Sequence, residues 1–237
     1  YPIQCGNFKL DGGAMFGVVP KSLWERTNPA DSKNLIELGT RSLLVEDGKK
    51  LILIDCGLGN KQDEKFFGHY SLYGDESLDK NLKKYGFVRE DITDVFLTHL
   101  HFDHCGGAIE WNDDKSGYRP AFKNAQFWTN ENHWQWATEP NPREKASFLK
   151  ENILPMQESG QLQFLPTPKT GNYGFAPDLK MDVIFVDGHT EKQMLPVIQY
   201  QEKTIVFAAD LIPTAGHIQQ VYVMGYDTRP LLTMEEK

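Results

Sequence analysis

The segment Thr98-His99-Leu100-His101-Phe102-Asp103-His104 sets three imidazoles and a carboxylate within six positions. Nitrogen and oxygen donors at that density suit a divalent cation. In an extended segment alternate side chains share a side, so His99 and His101 converge on one ion. Asp103 and His104 follow a turn of the chain and address a neighbouring position. Neither pair is sufficient alone, because a tightly held zinc takes about four ligands. The remainder stand at two other strand ends. "VDGHT" puts His189 just past the strand Val183 to Val186, with Gly188 permitting a close backbone approach, and "FAAD" puts Asp210 at the end of a strand that starts at Thr204. A carboxylate has two oxygens and can span two cations ~4 Å apart. That is the role this pattern gives Asp210.

With no thiolate in the set, zinc is the expected metal, and manganese, iron or cobalt are compatible. Two such ions bring the pKa of a shared water to about 7 and so make a hydroxide nucleophile available, which points to hydrolysis. Asp103 is the candidate to pass a proton to a leaving alkoxide. Met15 and Phe16, in an early turn, are candidates for an apolar wall that holds a substrate chain. His69 and His133 stand alone and read as surface or satisfied core histidines. Asp55 closes a strand before "CGLG" and reads as an anchor that fixes the loop by hydrogen bonds. Cys5, Cys56 and Cys105 are too few and too scattered for a disulfide framework, and read as small buried thiols.

These residues need a scaffold, and the 237-residue chain is long enough to supply one as a single domain spanning 1–237. A formal net charge of −8 repels polyanions and argues against nucleic acid, while no apolar run is long enough to span a bilayer. A small neutral or hydrophobic substrate, a cytoplasmic setting and a homodimer are the matching expectations. Strands are predicted on both sides of the Asp11-Gly12-Gly13 turn, at Leu43–Val45 and Leu51–Ile54 as a hairpin about Asp47-Gly48, and at Asp94–Thr98 and Gln126–Thr129. Later strands fall in "LQFL", "MDVIFV", "QMLPVIQY" and "TIVFAA". The four apolar residues Leu51–Ile54 read as a strand buried on both faces. Helices are predicted near Ser77–Tyr85, after an Asn130 cap, and over roughly Pro142–Glu151. Strands outnumber helices, which gives an α+β sandwich of packed sheets with helices outside. Near the end, Thr233 and Glu236 have the spacing of a capping box, so a helix is expected to start at Thr233 and the domain to be truncated at its C-terminus.

Taken together, the motifs resemble the metallo-β-lactamase superfamily. "THLHFDH" is similar to its signature, "LILIDCGLG" to its preceding strand-and-acid motif, "DGHT" to its third-histidine motif and "AAD" to its bridging-aspartate motif. The resemblance spans most of the chain. It implies a four-layer αβ/βα sandwich with two metal ions at the rim between the sheets. His99, His101 and His189 would hold one ion, Asp103 and His104 the other, and Asp210 would bridge. The superfamily's last histidine normally follows a late helix, which would lie beyond residue 237. More narrowly, "DGGAMFGVVPKSLW" and "LIPTAGHIQQVYVMGYD" look like the branch of quorum-quenching N-acyl homoserine lactone lactonases and methyl parathion hydrolase. Many acyl homoserine lactonases carry a substrate-contacting tyrosine three residues after the bridging aspartate. Pro213 stands there in this chain, and His217 or Tyr226 is the candidate replacement.

The resemblance therefore implies metal-dependent opening of a lactone or cleavage of an ester. Phosphotriester or thioester hydrolysis on the same site is the enzymatic alternative, and a metal-binding sensing module the non-enzymatic one.

Overall fold

The computed structural model describes residues 1–167, 173–176 and 181–237. Its strands are β1 (Pro2–Asp11), β2 (Leu35–Asp47), β3 (Lys50–Ile54), β4 (Asp94–Phe96), β5 (Ile109–Trp111), β6 (Tyr118–Pro120), β7 (Gln126–Asn130), β8 (Leu162–Leu165), β9 (Tyr173–Ala176), β10 (Met181–Val186), β11 (Gln193–Tyr200) and β12 (Lys203–Val206). The helices are α1 (Gly12–Phe16), α2 (Lys21–Trp24), α3 (Glu64–Gly68), α4 (Leu78–Lys84), α5 (Phe102–Cys105), α6 (Glu131–Thr138), α7 (Lys150–Glu158) and α8 (Pro230–Glu236). Among the described residues, no helix is long and apolar enough to cross a membrane.

A six-stranded sheet runs β1-β2-β3-β4-β7-β8 and a four-stranded sheet runs β12-β11-β10-β9. The first is antiparallel from β1 to β3 and parallel from β3 to β8. Strand β3 shows why the two sheets stack. Its alternate residues Ile52 and Ile54 meet Met181, Val183, Met194 and Ile198 of the second sheet, while Leu51 and Leu53 face a core shared with α4, α6 and α7. Both faces of the strand are buried, as its unbroken apolar run requires. The outer face of the second sheet is covered where Leu211 packs on Val186 and Leu195. The result is the α+β sandwich expected from the sequence.

Several local expectations give way. The Asp11-Gly12-Gly13 step is not a turn between two strands. The Asp11 carboxylate accepts the Ala14 N–H at 2.8 Å and caps α1, leaving β1 as one ten-residue strand paired with β2. The helix placed at Pro142–Glu151 begins only at Lys150. Before it, the Asn141 side chain accepts the N–H groups of Arg143 and Glu144 and holds a local turn instead. Nor does Thr233 start the last helix, since α8 begins with Pro230 in its first turn. Thr233 sits inside α8, and the Glu236 carboxylate reaches across to the Asp187 and Gly188 N–H groups at 2.7 and 2.9 Å.

The loop after β3 lies backbone to backbone against the end of the histidine segment. Gly59 has φ +69°, and a Cβ there would fall 2.5 Å from the Gly106 carbonyl oxygen, so only glycine fits. In the same loop the Lys61 ammonium, on a residue 5% exposed, donates to the Gly106 carbonyl. Burial pulls its pKa from 10.5 down to about 8, against the smaller opposing pull of the Cys105 and Cys56 thiols. The unfolded chain therefore holds more protons between those two values, so stability rises with pH across that window and the full cost is present below it. Holding the charge buried at pH 7 costs ~3 kcal/mol. Lys61→Met removes that cost and forfeits one hydrogen bond, for an expected net stabilisation of about 1–2 kcal/mol at pH 7. Urea unfolding at pH 7 and pH 10 checks this: the variant's advantage should shrink at the higher pH, and an equal or negative difference at pH 7 would contradict it.

Candidate metal centre

Three segments converge where the strands of the two sheets end. Strand β4 stops at Phe96 and the chain continues buried through His99. His101 occupies the N-cap of α5, and the helix then turns Asp103 and His104 toward the same space. His189 follows β10, on a loop whose backbone is pinned by Glu236. A Cβ on Gly188 would lie 2.4 Å from Thr233 Oγ1, so the glycine is what lets α8 pack against the loop. Asp210 lies beyond the end of β12, in a short helical turn entered through Ala209 at φ +42°.

Ligand atoms of His99, His101, His189 and Asp210 all lie within 4.8 Å of one another. His189 Nε2 faces His101 Nδ1 at 3.2 Å and Asp210 Oδ2 at 3.2 Å, and His99 Nε2 is 4.0 Å from the same oxygen. The other oxygen of Asp210 is 3.2 Å from His104 Nε2, which in turn is 3.7 Å from Asp103 Oδ2. One carboxylate thus spans both halves of the cluster. All six residues proposed from the sequence are brought together.

The outward-facing ring nitrogens show what the inner ones are for. His104 Nδ1–H donates to Asp55 Oδ2 at 2.8 Å. The Thr98 hydroxyl donates to the same oxygen at 2.8 Å and accepts from His99 Nδ1–H at 3.1 Å. His189 Nδ1–H donates to Asp227 at 3.0 Å. With protons placed on these outer nitrogens, the inner nitrogens present bare lone pairs to one another and to Asp210. His99 Nε2 is buried and has no hydrogen-bond partner among the described residues. Lone pairs and a carboxylate at such distances are stable only around positive charge, so the donor set fits a divalent cation.

The titration directions divide the four histidines into two pairs. Burial, reinforced by the neighbouring imidazoles, holds His99 well below the ordinary histidine range, and His101 is lowered chiefly by burial. Burial also works against a charge on His104 and His189, yet Asp210 and the acids behind them outweigh it and raise both. Asp210 is held far down despite its burial, because His104 and His189 stabilise its charge.

The cluster forms the floor of a cavity of about 790 Å³ whose walls include Phe8, Leu10, Met15, Leu38, Tyr70 and Tyr226. Of the substrate contacts expected from the sequence, Met15 lines this cavity. Phe16 and His217 do not. Phe16 is fully buried, stacked between Trp24 at 5.2 Å and His217 at 4.3 Å. Both His217 nitrogens are engaged, Nδ1 with the Thr214 hydroxyl and Nε2 with the Met15 carbonyl, each at 2.8 Å. They support the turn that carries Met15. His133 is a satisfied core histidine, accepting the Leu100 N–H at 2.9 Å and donating to the Glu191 carbonyl at 2.5 Å.

Sequence reasoning missed Asp227, Glu144 and Tyr70. Asp227 and Glu144 lie in loops with no spacing signal, each behind a histidine that is remote in sequence. Burial sets the Glu144 carboxyl against ionisation, but its contacts with His101 and the Thr190 hydroxyl, together with the Asn141 hydrogen bond, prevail and hold it at about 2. Tyr70 is pushed up to about 12 by burial with Asp103 and Tyr226 adding to it, and Tyr226 is raised by burial, Asp11 and Asp103. Both phenols remain proton donors at neutral pH.

A sandwich of two sheets with a histidine and aspartate centre at its rim defines a class of metal-binding folds. Residues 35–229 match the metallo-beta-lactamase superfamily, and the chain belongs to it. As a member it is a metal-dependent hydrolase, related at low identity to N-acyl homoserine lactonases. It is 21% identical to an N-acyl homoserine lactonase of Bacillus cereus over 225 residues, covering 86% of this chain and 80% of that protein. A probable metal-dependent hydrolase from Staphylococcus aureus superimposes with a TM-score of 0.89 at 29% identity, covering 100% of this chain and 81% of the other. AidC, a dizinc quorum-quenching lactonase solved with a product, superimposes with a TM-score of 0.75 at 20% identity over 99% of this chain and 79% of its own.

Proposed function

We propose that this protein opens lactones or cleaves esters at a two-metal centre, with an N-acyl homoserine lactone as the favoured substrate class. His99, His101, His189 and Asp210 would hold one ion, and Asp103, His104 and Asp210 the second, with zinc the metal that best suits the imidazole-rich donors. Bound divalent ions supply Lewis acidity and bring the pKa of a coordinated water to about 7. The observation that carries the reading is Asp210, one oxygen toward His104 and the other toward His189, on the floor of a large cavity.

The protein's own groups supply the rest. Asp103 would relay the proton released by the attacking water, through its free carboxylate oxygen, to the leaving alkoxide. Tyr226, the cavity-lining candidate for the role vacated at Pro213, donates its phenolic proton toward the substrate carbonyl. Leu10, Met15 and Leu38 enclose an acyl chain, whose burial favours longer substrates by ~0.8 kcal/mol for each methylene covered. Lactones, an aryl ester and an aryl phosphotriester assayed on one zinc-loaded preparation test the proposal. A long-chain acyl homoserine lactone should give the highest kcat/KM, and chelation should abolish turnover until metal is restored. Faster turnover of the phosphotriester than of every lactone and ester would displace this reading in favour of phosphotriester hydrolysis.

A further inference from the structure

We propose that Glu144 is a positioning residue that fixes the ring tautomer of His101, keeping the proton on Nε2 and the Nδ1 lone pair turned toward the ion. The inference rests on the metal-centre reading above. Glu144 is only 3% exposed. Its Oε2 accepts two hydrogen bonds, from Trp136 Nε1 at 2.7 Å and Asn141 Nδ2 at 2.6 Å. That leaves Oε1 facing His101 Nε2 at 3.4 Å, and among the described residues neither of these two buried atoms makes a hydrogen bond elsewhere, with the Thr190 hydroxyl also beside the carboxylate. On the opposite side of the ring, His101 Nδ1 points at His189 Nε2 at 3.2 Å. An anion behind a ring nitrogen draws the proton to it and leaves the other nitrogen free to ligate.

The backbone around Glu144 is tied down on both sides. The Asn141 side-chain oxygen accepts the Arg143 and Glu144 N–H groups at 2.9 and 3.2 Å, and the Arg143 guanidinium donates to the Gly225 and Asp227 carbonyls. Glu144 is therefore delivered to His101 by a fixed turn.

The two donors on Oε2 make the amide variant informative. Trp136 and Asn141 both require an oxygen opposite them, so in Glu144→Gln the amide oxygen stays with them and the NH2 turns toward His101 Nε2. That arrangement favours the opposite tautomer, with Nδ1 protonated and unable to bind metal. Zinc affinity, read by competition with a chromophoric chelator, should fall ~10–100-fold in Glu144→Gln and by less in Glu144→Ala, which removes the anchor without forcing inversion. Nitrogen NMR of the histidine rings supplies a readout that mere loss of packing does not move. In the zinc-loaded native protein His101 should carry its proton on Nε2, and in metal-free Glu144→Gln on Nδ1. Native zinc binding by Glu144→Gln, or an Nδ1–H tautomer of His101 in the native protein, overturns the inference. The native tautomer decides even if the variant fails to fold. A native protein that binds no zinc overturns the metal-centre reading and this inference together, whereas native binding with an indifferent Glu144→Gln overturns this inference alone.

Discussion

Asp210→Ala, assayed after zinc loading, lowers kcat/KM on the order of 1,000-fold, the loss expected when several kcal/mol of charge stabilisation leave the transition state. The geometry makes this the most damaging single change at the site. Asp210 is the side chain that faces both halves of the cluster, 3.2 Å from His104 on one side and from His189 on the other. Without it the two halves of the cluster lose the carboxylate that lies between them, and buried imidazoles face one another with no anion in their midst. Asp210→Asn retains the shape and removes the charge, so a comparable loss in that variant would separate electrostatics from packing. Far-UV circular dichroism should remain native, because Asp210 sits in a short turn outside the sheets. Activity within tenfold of the native enzyme would place the chemistry elsewhere.

The second large effect is on folding. Asp55 is 2% exposed and accepts three hydrogen bonds, from the Thr98 N–H, the Thr98 hydroxyl and His104 Nδ1, each at 2.8 Å. Asp55→Ala strands all three donors in the interior and places alanine at φ +57°, a conformation that costs an L-residue with an ordinary side chain ~1–2 kcal/mol. The combined loss should be about 3–5 kcal/mol, the range for removing one partner of a buried charged pair. Asp55→Asn tolerates the backbone and still offers one acceptor oxygen, so it should lose less. Urea denaturation with an unchanged slope checks both values. An alanine variant within ~1 kcal/mol of native, no more than a surface substitution, would mean the network is dispensable.

Much of this is legible in the sequence alone. The ligand cluster is dense enough in types and spacing to declare its chemistry, with only its convergence in space left to the fold, and the all-apolar run Leu51–Ile54 announces a strand buried between layers. What the sequence hides depends on contacts remote along the chain. Asp227 lies 38 residues from the histidine it orients, and no local periodicity links them. The same limit explains Phe16 and His217, whose residue types suit a substrate pocket but whose partners, Trp24 and the Met15 carbonyl, make them interior props. The misplaced helix at Pro142 and the misread Asp11-Gly12-Gly13 step share one cause. A side-chain oxygen that can cap a backbone amide leaves several local conformations nearly equal in energy, and tertiary contacts choose among them.

Asp227 does more than orient a histidine. Its second oxygen accepts the Met224 N–H at 3.1 Å, and Arg143 holds its carbonyl together with that of Gly225. Met224, Gly225 and Tyr226 are also part of the cavity wall. The stretch that would discriminate among substrates is consequently built on the same support that aims a metal-facing ring. Diversification toward new substrates at 224–226 can proceed through side-chain exchanges that spare this backbone, whereas insertions or deletions there would broaden specificity only at the expense of cofactor retention.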